Sequence, residues 1–268
     1  MGGNRFLKAA KRLTAAAFQF ICRSTFPAFT FNFQTFTISG MNTTNRIVFA
    51  NRKDAGEQLG KALKQRYRDS NPLVLGVARG GMEVAYHTAR LLQAQLEMVI
   101  SKKLPLPKHD EIGFGAIAED LTVYVSPRFS AKLSPEEICQ VIDQQTDEVN
   151  RRVSRYRRGS QIPDMRGRTV IIVDDGIATG VTLVPVLALC KKRGAREVVI
   201  AVAVCGNNYD DRLNDADHME VLVKPEWFYA VAQTYASFRD LTDEDLMVIL
   251  DETNRLNANL FRNSYSRI

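Results

Sequence analysis

The sequence predicts an α/β protein built on an open, mostly parallel sheet flanked by helices, and three observations carry that expectation. Thr169-Val170-Ile171-Ile172-Val173 is a run of five β-branched residues, apolar on both faces, as a strand covered from two sides requires. Leu73-Val74-Leu75-Gly76-Val77 is a second apolar run that passes through a glycine turn into a helical pattern, and Glu197–Val204 is a third. Strands of this kind alternating with helical segments indicate a parallel sheet.

Along the chain, residues 1–40 are basic, free of acids and rich in Phe, Thr and Ala. They read as an N-terminal extension, which is a start assigned too far upstream, a targeting segment, or an element packing elsewhere. Residues 41–268 form the domain proper. Ala55, Leu59, Ala62 and Leu63 recur at helical spacing between Arg52 and Arg68, and Asn71-Pro72 closes that helix. The strand Leu73–Val77 leads into Ala78-Arg79-Gly80-Gly81 and a helix from Met82 to about Gln95. A strand from Leu96 to Ile100 follows. Ser101 to Asp110, with three lysines, one histidine and two prolines, reads as an exposed polar loop, either a mobile lid or a solvated connection. Ile112–Ala118 and Leu121–Val125 form a hairpin around Glu119-Asp120.

Ser134-Pro135-Glu136-Glu137 is a helix start with a Ser cap, Pro at the first position and Glu at the third. The helix runs to about Tyr156 inside an insertion of about residues 131–160, and its end carries Arg151, Arg152, Arg155, Arg157 and Arg158. This basic end complements the helix dipole as a solvated feature, with a phosphate or partner contact as the alternative. After the strand at 169–173, a helix from Val181 to Arg193 ends at Gly194. A polar helix around Tyr209–Asn214 and a strand Met219–Val223 come next, and a helix capped near Thr242-Asp243-Glu244 closes the domain. Trp227, Phe228 and Tyr229 follow a strand end, either as core or as a surface that stacks a planar ligand.

Composition narrows the function. Of the formal charge of +6, Arg5, Lys8, Lys11, Arg12 and Arg23 supply five, which leaves +1 for residues 41–268 and argues against a nucleic-acid footprint on the domain. Cys22, Cys139, Cys190 and Cys205 include no C-x-x-C pair, so neither a zinc site nor a disulfide framework is expected, and a reducing cytoplasm fits. No apolar run approaches the roughly 20 residues of a membrane helix.

The chemistry is concentrated where the strand at 169–173 ends. Asp174 and Asp175 follow it directly, and Gly176-Ile177-Ala178-Thr179-Gly180-Val181-Thr182 leads into a helix. Loop amides, the Thr179 and Thr182 hydroxyls and the helix N-terminus suit a phosphate. The carboxylates need hydroxyls or a divalent metal nearby, so the stretch describes a site for a phosphorylated sugar at the carboxyl end of a parallel sheet. Gly180 is followed by Val181, which excludes a nucleotide-hydrolysing P-loop, and no G-x-G-x-x-G is present. Arg79, beside two glycines at another strand end, is either a solvated turn residue or a fork of donors for phosphate oxygens.

Val170 to Thr182 resembles the phosphoribosyl pyrophosphate (PRPP) signature of type I phosphoribosyltransferases: four hydrophobics, two acids and a small-residue loop with Thr-Gly-x-Thr. Phe49 to Gly56, Ala78-Arg79-Gly80-Gly81, Lys103, Glu111 to Ala118 and Phe228-Tyr229-Ala230-Val231 resemble a bacterial subgroup of unsettled substrate, and the likeness covers about residues 46–252. The resemblance implies a type I phosphoribosyltransferase-like sheet with a small hood at about 224–240 and transfer of 5-phosphoribosyl from PRPP to an acceptor, with release of pyrophosphate. It implies that Asp174 and Asp175 hold the ribose hydroxyls and that Ala178, Thr179, Gly180, Val181 and Thr182 wrap the 5-phosphate. Ala78, Arg79 and Gly80 would form the pyrophosphate loop, often with a cis peptide, and Lys102 or Lys103 would approach the leaving group. Mg²⁺ would arrive mainly with PRPP, with Asp174 or Asp175 as its protein contact, and Phe228 and Tyr229 would meet the acceptor. Relatives of this kind are commonly homodimers.

Ala178 stands where enzymes acting on 6-oxopurines carry an acid, Ala232-Gln233-Thr234 lacks the hood acid, and Ala78 replaces a usual Pro. Purine salvage is therefore not implied, and the acceptor stays open between nucleobase-like nitrogens. A PRPP-sensing regulator without catalysis is the alternative, and RNA binding through the arginines of 151–158 is a third.

Overall fold

In the computed structural model of the protein, residues 47–131 and 133–265 are described, and the expectations for residues 1–40 lie outside them. Helix α1 (Arg52–Tyr67) begins at Asn51, whose side chain accepts a hydrogen bond from the Asp54 amide at 3.0 Å. Strand β1 (Leu73–Val77) is buried at every position, and α2 (Gly80–Leu92) and β2 (Gln95–Val99) follow. Strand β3 (Ser101–Leu106) leaves this sheet and pairs antiparallel with β4 (His109–Ala118), which pairs with β5 (Val123–Val125). The long helix α3 (Pro135–Arg157) packs on β3 and β4, and its first turn carries the expected capping box between Ser134 and Glu137.

Strand β6 (Thr169–Asp174), helix α4 (Leu183–Lys192) and strand β7 (Glu197–Val204) complete the buried centre, with β8 (His218–Val223) at the edge and α5 (Asp243–Tyr265) last. The five strands of the main sheet are all parallel, in the order β2-β1-β6-β7-β8. The chain leaves β1 toward β2 and returns on the other side of β1 as β6, so strand order reverses between β1 and β6. Ligands of such sheets settle in the crevice at that reversal, beyond the carboxyl ends. On the outer edge, Asn257 of α5 accepts from the Leu96 amide at 3.0 Å and donates to the Leu96 carbonyl at 2.9 Å, covering polar groups that edge strand β2 would otherwise present.

Two expectations change. Ser101 to Asp110 is not an exposed loop: it is strand β3, a turn at Pro107-Lys108 and the start of β4. Ser101 and Leu104 are buried, and the long aliphatic stems of the lysines let a charged sequence lie along a strand. Pro105 is tolerated because the β3–β4 register shifts on both sides of it. The polar segment near Tyr209 forms only a 3-10 turn, Asp211–Asp215, started by the Asp210 side chain accepting from the Arg212 amide.

The basic end of α3 keeps Arg151, Arg155 and Arg158 exposed, and most of its arginines are paired with acids. Arg151 and Arg152 both pair with Glu148 at 2.7 Å, and Arg155 pairs with Asp243 at 2.5 Å. Arg157 is buried where the two sheets meet, donating to the Met98 carbonyl at 2.5 Å and to Glu119 at 2.9 Å, while Glu119 accepts from the Ile100 amide at 2.9 Å. Arg157→Ala would leave Glu119 buried without its partner and is expected to cost about 3–5 kcal/mol in urea unfolding. Arg151→Ala, at an exposed pair, is expected to cost less than about 1 kcal/mol.

Candidate functional site

The site is assembled where β6 ends against the turn after β1. Asp174 is the last residue of β6, and its Oδ1 accepts the Asp175 amide at 2.9 Å. Gly81 lies directly against it: a Cβ there would stand 2.7 Å from Asp174 Oδ1 and 2.8 Å from the Val173 carbonyl. A Cβ on Gly80 would collide with Asp175 Oδ2. Only glycines let the Ala78–Gly81 turn approach the acid pair so closely. Asp175 receives a hydrogen bond from the buried Arg52 Nε at 2.8 Å, and its carbonyl accepts from the Tyr235 hydroxyl at 2.7 Å.

The loop after the acids is held by its carbonyls. Ile177 is pinned between the Val204 carbonyl and the Gly206 amide, at 2.8 and 2.9 Å. The Thr179 carbonyl accepts the Asp210 amide at 2.9 Å, the Gly180 carbonyl accepts the Leu183 amide at 2.9 Å, and the Thr182 carbonyl accepts the Ser101 hydroxyl at 2.7 Å. Gly180 sits at φ +72°, a backbone conformation that favours glycine. With carbonyls committed to the protein, the turn into α4 is shaped for an anion at its amides.

Across the crevice, the Ala78–Arg79 peptide is cis, and the Ala78 amide is anchored to the Val99 carbonyl at 3.0 Å. Arg79 is partly exposed and reaches Asp243 at 3.3 Å. Asp243 also accepts from the Tyr156 hydroxyl at 2.6 Å and pairs with Arg155, so one carboxylate at the start of α5 gathers α3 and the Arg79 turn.

The phosphoribosyl transferase domain model matches residues 49–239, a span that includes both turns and the acid pair. The chain belongs to the phosphoribosyl transferase domain family. It is 36% identical over 211 residues to "Putative phosphoribosyl transferase Rv0571c" of Mycobacterium tuberculosis, covering 78% of this chain and 47% of that protein. The chain thus spans about half the length of that relative. The crystal structure of TT1426 from Thermus thermophilus superposes with a TM-score of 0.65 at 33% identity, covering 76% of this chain and 98% of that one. A shorter stretch of 51 residues is 39% identical to "Transcriptional regulator GfcR" of Methanosphaera stadtmanae, 19% of this chain and 26% of that one.

Within this phosphoribosyl transferase fold, the two lysines separate. They occupy successive positions of β3 and so face opposite sides of the small sheet. Lys103 lays its stem over Gly113, whereas Lys102 is half-buried near Arg79, Arg152 and Glu148. Burial, then the field of Arg152, holds the Lys102 ammonium below its ordinary pKa. The aromatics separate as well. Phe228 packs over Gly206 beside the core, while Trp227 and Tyr229 are exposed, against the reading of all three as core. Gln233 shapes their loop, accepting the Tyr229 and Ala230 amides at 2.7 and 3.2 Å and donating to the Trp227 carbonyl at 2.7 Å. Val231 packs on Gly176, which brings this segment over the acid pair.

Sequence reasoning missed Arg52, Tyr235 and Asp243 as site-forming residues. Arg52 stands 123 positions from its partner, so no local pattern announces the pair. Behind the anion loop, a cavity of about 610 Å³ is lined in part by Tyr124, Phe129, Thr179, Val181 and Arg212. It shares Thr179 and Val181 with that loop, and its lining carries both arginines and aspartates.

Burial raises the pKa of both acids; repulsion from Asp175 adds to the rise at Asp174, while Arg52 opposes it at Asp175. The folded protein therefore holds the Asp174 proton more tightly than the unfolded chain does. The stability this group contributes is retained at acid pH and lost as pH rises through its folded pKa. Asp174→Asn is expected to raise the melting temperature at pH 8 by about 2–4 °C, a gain on the order of 1 kcal/mol. In scans below about pH 4 the gain should vanish, because the wild-type carboxyl is then protonated in both states.

Proposed function

We propose that this protein is a PRPP-dependent phosphoribosyltransferase whose acceptor is a nucleobase-like nitrogen. The observation that carries the reading is the pairing, at the reversal of strand order, of two adjacent carboxylates with an anion-shaped loop on one side and the Arg79 turn on the other. Asp174 and Asp175 hold the ribose 2- and 3-hydroxyls, and the amides and hydroxyls of residues 178–182 take the 5-phosphate. Ala78, Arg79 and Gly80 receive the pyrophosphate.

In the reaction, the bond from the anomeric carbon to the pyrophosphate oxygen breaks and its electron pair leaves with that oxygen. The acceptor nitrogen supplies the pair for the new bond. Positive charge grows on the ring beside the carboxylates, and negative charge grows on pyrophosphate beside Arg79 and Lys102. Lys102 is preferred to Lys103 because of its position near Arg79, and its depressed pKa follows from the same concentration of positive charge and from burial. Among the described residues no cluster of His, Cys, Asp and Glu forms a metal site of its own. A Mg²⁺ ion arriving with PRPP would be held on the protein side by Asp174, because Arg52 already occupies Asp175. When bound, that ion would neutralise charge on the departing pyrophosphate.

The acceptor lies beside Phe228 and Tyr229, with Trp227 near by. Ala178 supplies no proton acceptor, so a nitrogen that carries a hydrogen would release it to the departing pyrophosphate or to water as the new bond forms. Cys139, Cys190 and Cys205 are free thiols, which fits a reducing cytoplasm, and no described helix is long and apolar enough to cross a membrane. A homodimer accompanies this reading by family likeness.

The 51-residue similarity to a protein named as a transcriptional regulator favours one second reading, a PRPP sensor that keeps the donor site without turnover. Calorimetry of the purified protein with PRPP and Mg²⁺ should show binding that Asp174→Asn with Asp175→Asn abolishes; no binding by the wild type would overturn both readings. Pyrophosphate release across a panel of bases separates them, since silence with binding intact selects the sensor. In the enzyme, Lys102→Ala is expected to lower kcat about 100-fold and Lys103→Ala to change it far less.

A further inference from the structure

Arg52 is a buried guanidinium that the proposed chemistry does not use, and its surroundings are unusually complete. Its side chain is 6% exposed, its Nε donates to Asp175 Oδ2 at 2.8 Å, and its Nη1 donates to the Arg239 carbonyl at 2.7 Å. The guanidinium lies 3.9 Å from the centre of the Phe238 ring, and Phe238 is stacked in turn on Tyr235, which packs against Phe49. Tyr235 donates to the Asp175 carbonyl, so the same aromatic stack holds Asp175 by its main chain while Arg52 holds it by its side chain. Gly80 closes the arrangement, since a Cβ there would lie 3.1 Å from Arg52 Nε and Nη2.

We infer that Arg52 is the positioning residue of the ribose-binding carboxylate: by bonding Oδ2, with the Gly176 amide also turned to the carboxylate, it fixes Asp175 in one rotamer whose remaining lone pairs meet a substrate hydroxyl. The inference rests on the PRPP reading above. A fork of donors can bond the carboxylate and the Arg239 carbonyl at once while its flat face covers Phe238, and no other side chain combines these three contacts. The polar contacts of Arg52 are with Asp175 and the Arg239 carbonyl, and its guanidinium lies over the Phe238 ring. Its effect travels through Asp175, which meets the sugar hydroxyls before any bond breaks, so it belongs to donor binding more than to the chemical step. The aromatic stack extends the consequence: residues 48–50 and 234–237 are hydrogen-bonded to each other and hold the ring on which Arg52 rests.

The test uses the full chain with Arg52→Gln and Arg52→Lys, each checked by thermal melting. Arg52→Gln is expected to weaken PRPP binding, and to raise the KM for PRPP, by about 10–100-fold with a smaller change in kcat. Mg²⁺-pyrophosphate, which presents no sugar hydroxyl, should bind wild type and variant alike. Arg52→Lys, a point donor on a flexible stem, should recover part of the PRPP affinity. In the Asp175→Asn background Arg52→Gln should cost little more, and the two changes should be non-additive in melting temperature as well. Equal weakening of PRPP and pyrophosphate, or unchanged PRPP affinity in a folded Arg52→Gln variant, would overturn the inference while leaving the PRPP reading in place. Absence of PRPP binding by the wild type overturns that reading and this inference together, and the melting cycle then still reports whether the Arg52–Asp175 pair exists.

Discussion

Two carboxylates side by side at the end of a buried strand are an electrostatic burden, and the surrounding structure is arranged around that burden. Asp174 ends β6 and Asp175 follows it with its amide bonded to the Asp174 carboxylate, so the two acids stay close enough to repel each other. Burial and mutual repulsion both oppose ionisation. One buried cation, set on Asp175 alone, relieves the pair only in part. A core selected for stability alone would hold no such pair, and a stability cost of this kind is what a site that must meet polar ligand groups retains.

Elements distant in sequence converge on this point through few contacts. The turn after β1 reaches it because Gly80 and Gly81 have no side chains. The small antiparallel sheet is tied to it where Ser101, the first residue of β3, bonds the last carbonyl of the anion loop. Helices α3 and α5 are joined to the Arg79 turn through Asp243. The turns that follow β1 and β6 and the start of β3 therefore share one framework.

The elements legible in the sequence were those fixed by local rules. Buried apolar runs marked β1, β6 and β7, a Ser-x-x-Glu cap marked the start of α3, and the acid pair with its small-residue loop marked the candidate site. Long-range pairings were not legible. Arg157 looked like one more solvated arginine until Glu119, from a turn 38 positions away, accounted for its burial. Ser101 to Leu106 looked like loop because lysines and a proline are poor strand formers, and pairing with the apolar β4 overrode that propensity. Arg52 lay within a segment that resembled the family, yet only the folded chain assigns it a partner.

The two halves of the crevice differ in how tightly they are specified. Around the acid pair, the loop carbonyls, Asp175, Arg52 and Arg79 are each engaged by named partners, which holds this side of the crevice in one arrangement. On the facing side, Trp227 and Tyr229 stand exposed, and the one polar side chain that organises their loop, Gln233, spends its amide on the loop's own backbone. With a methyl group at Ala178, discrimination there falls to stacking area and shape. Hydrophobic and stacking pockets separate close analogues only modestly, whereas unpaired buried polar groups reject them strongly. The acid-pair side of the crevice is thus held by many named contacts, and the aromatic side by few.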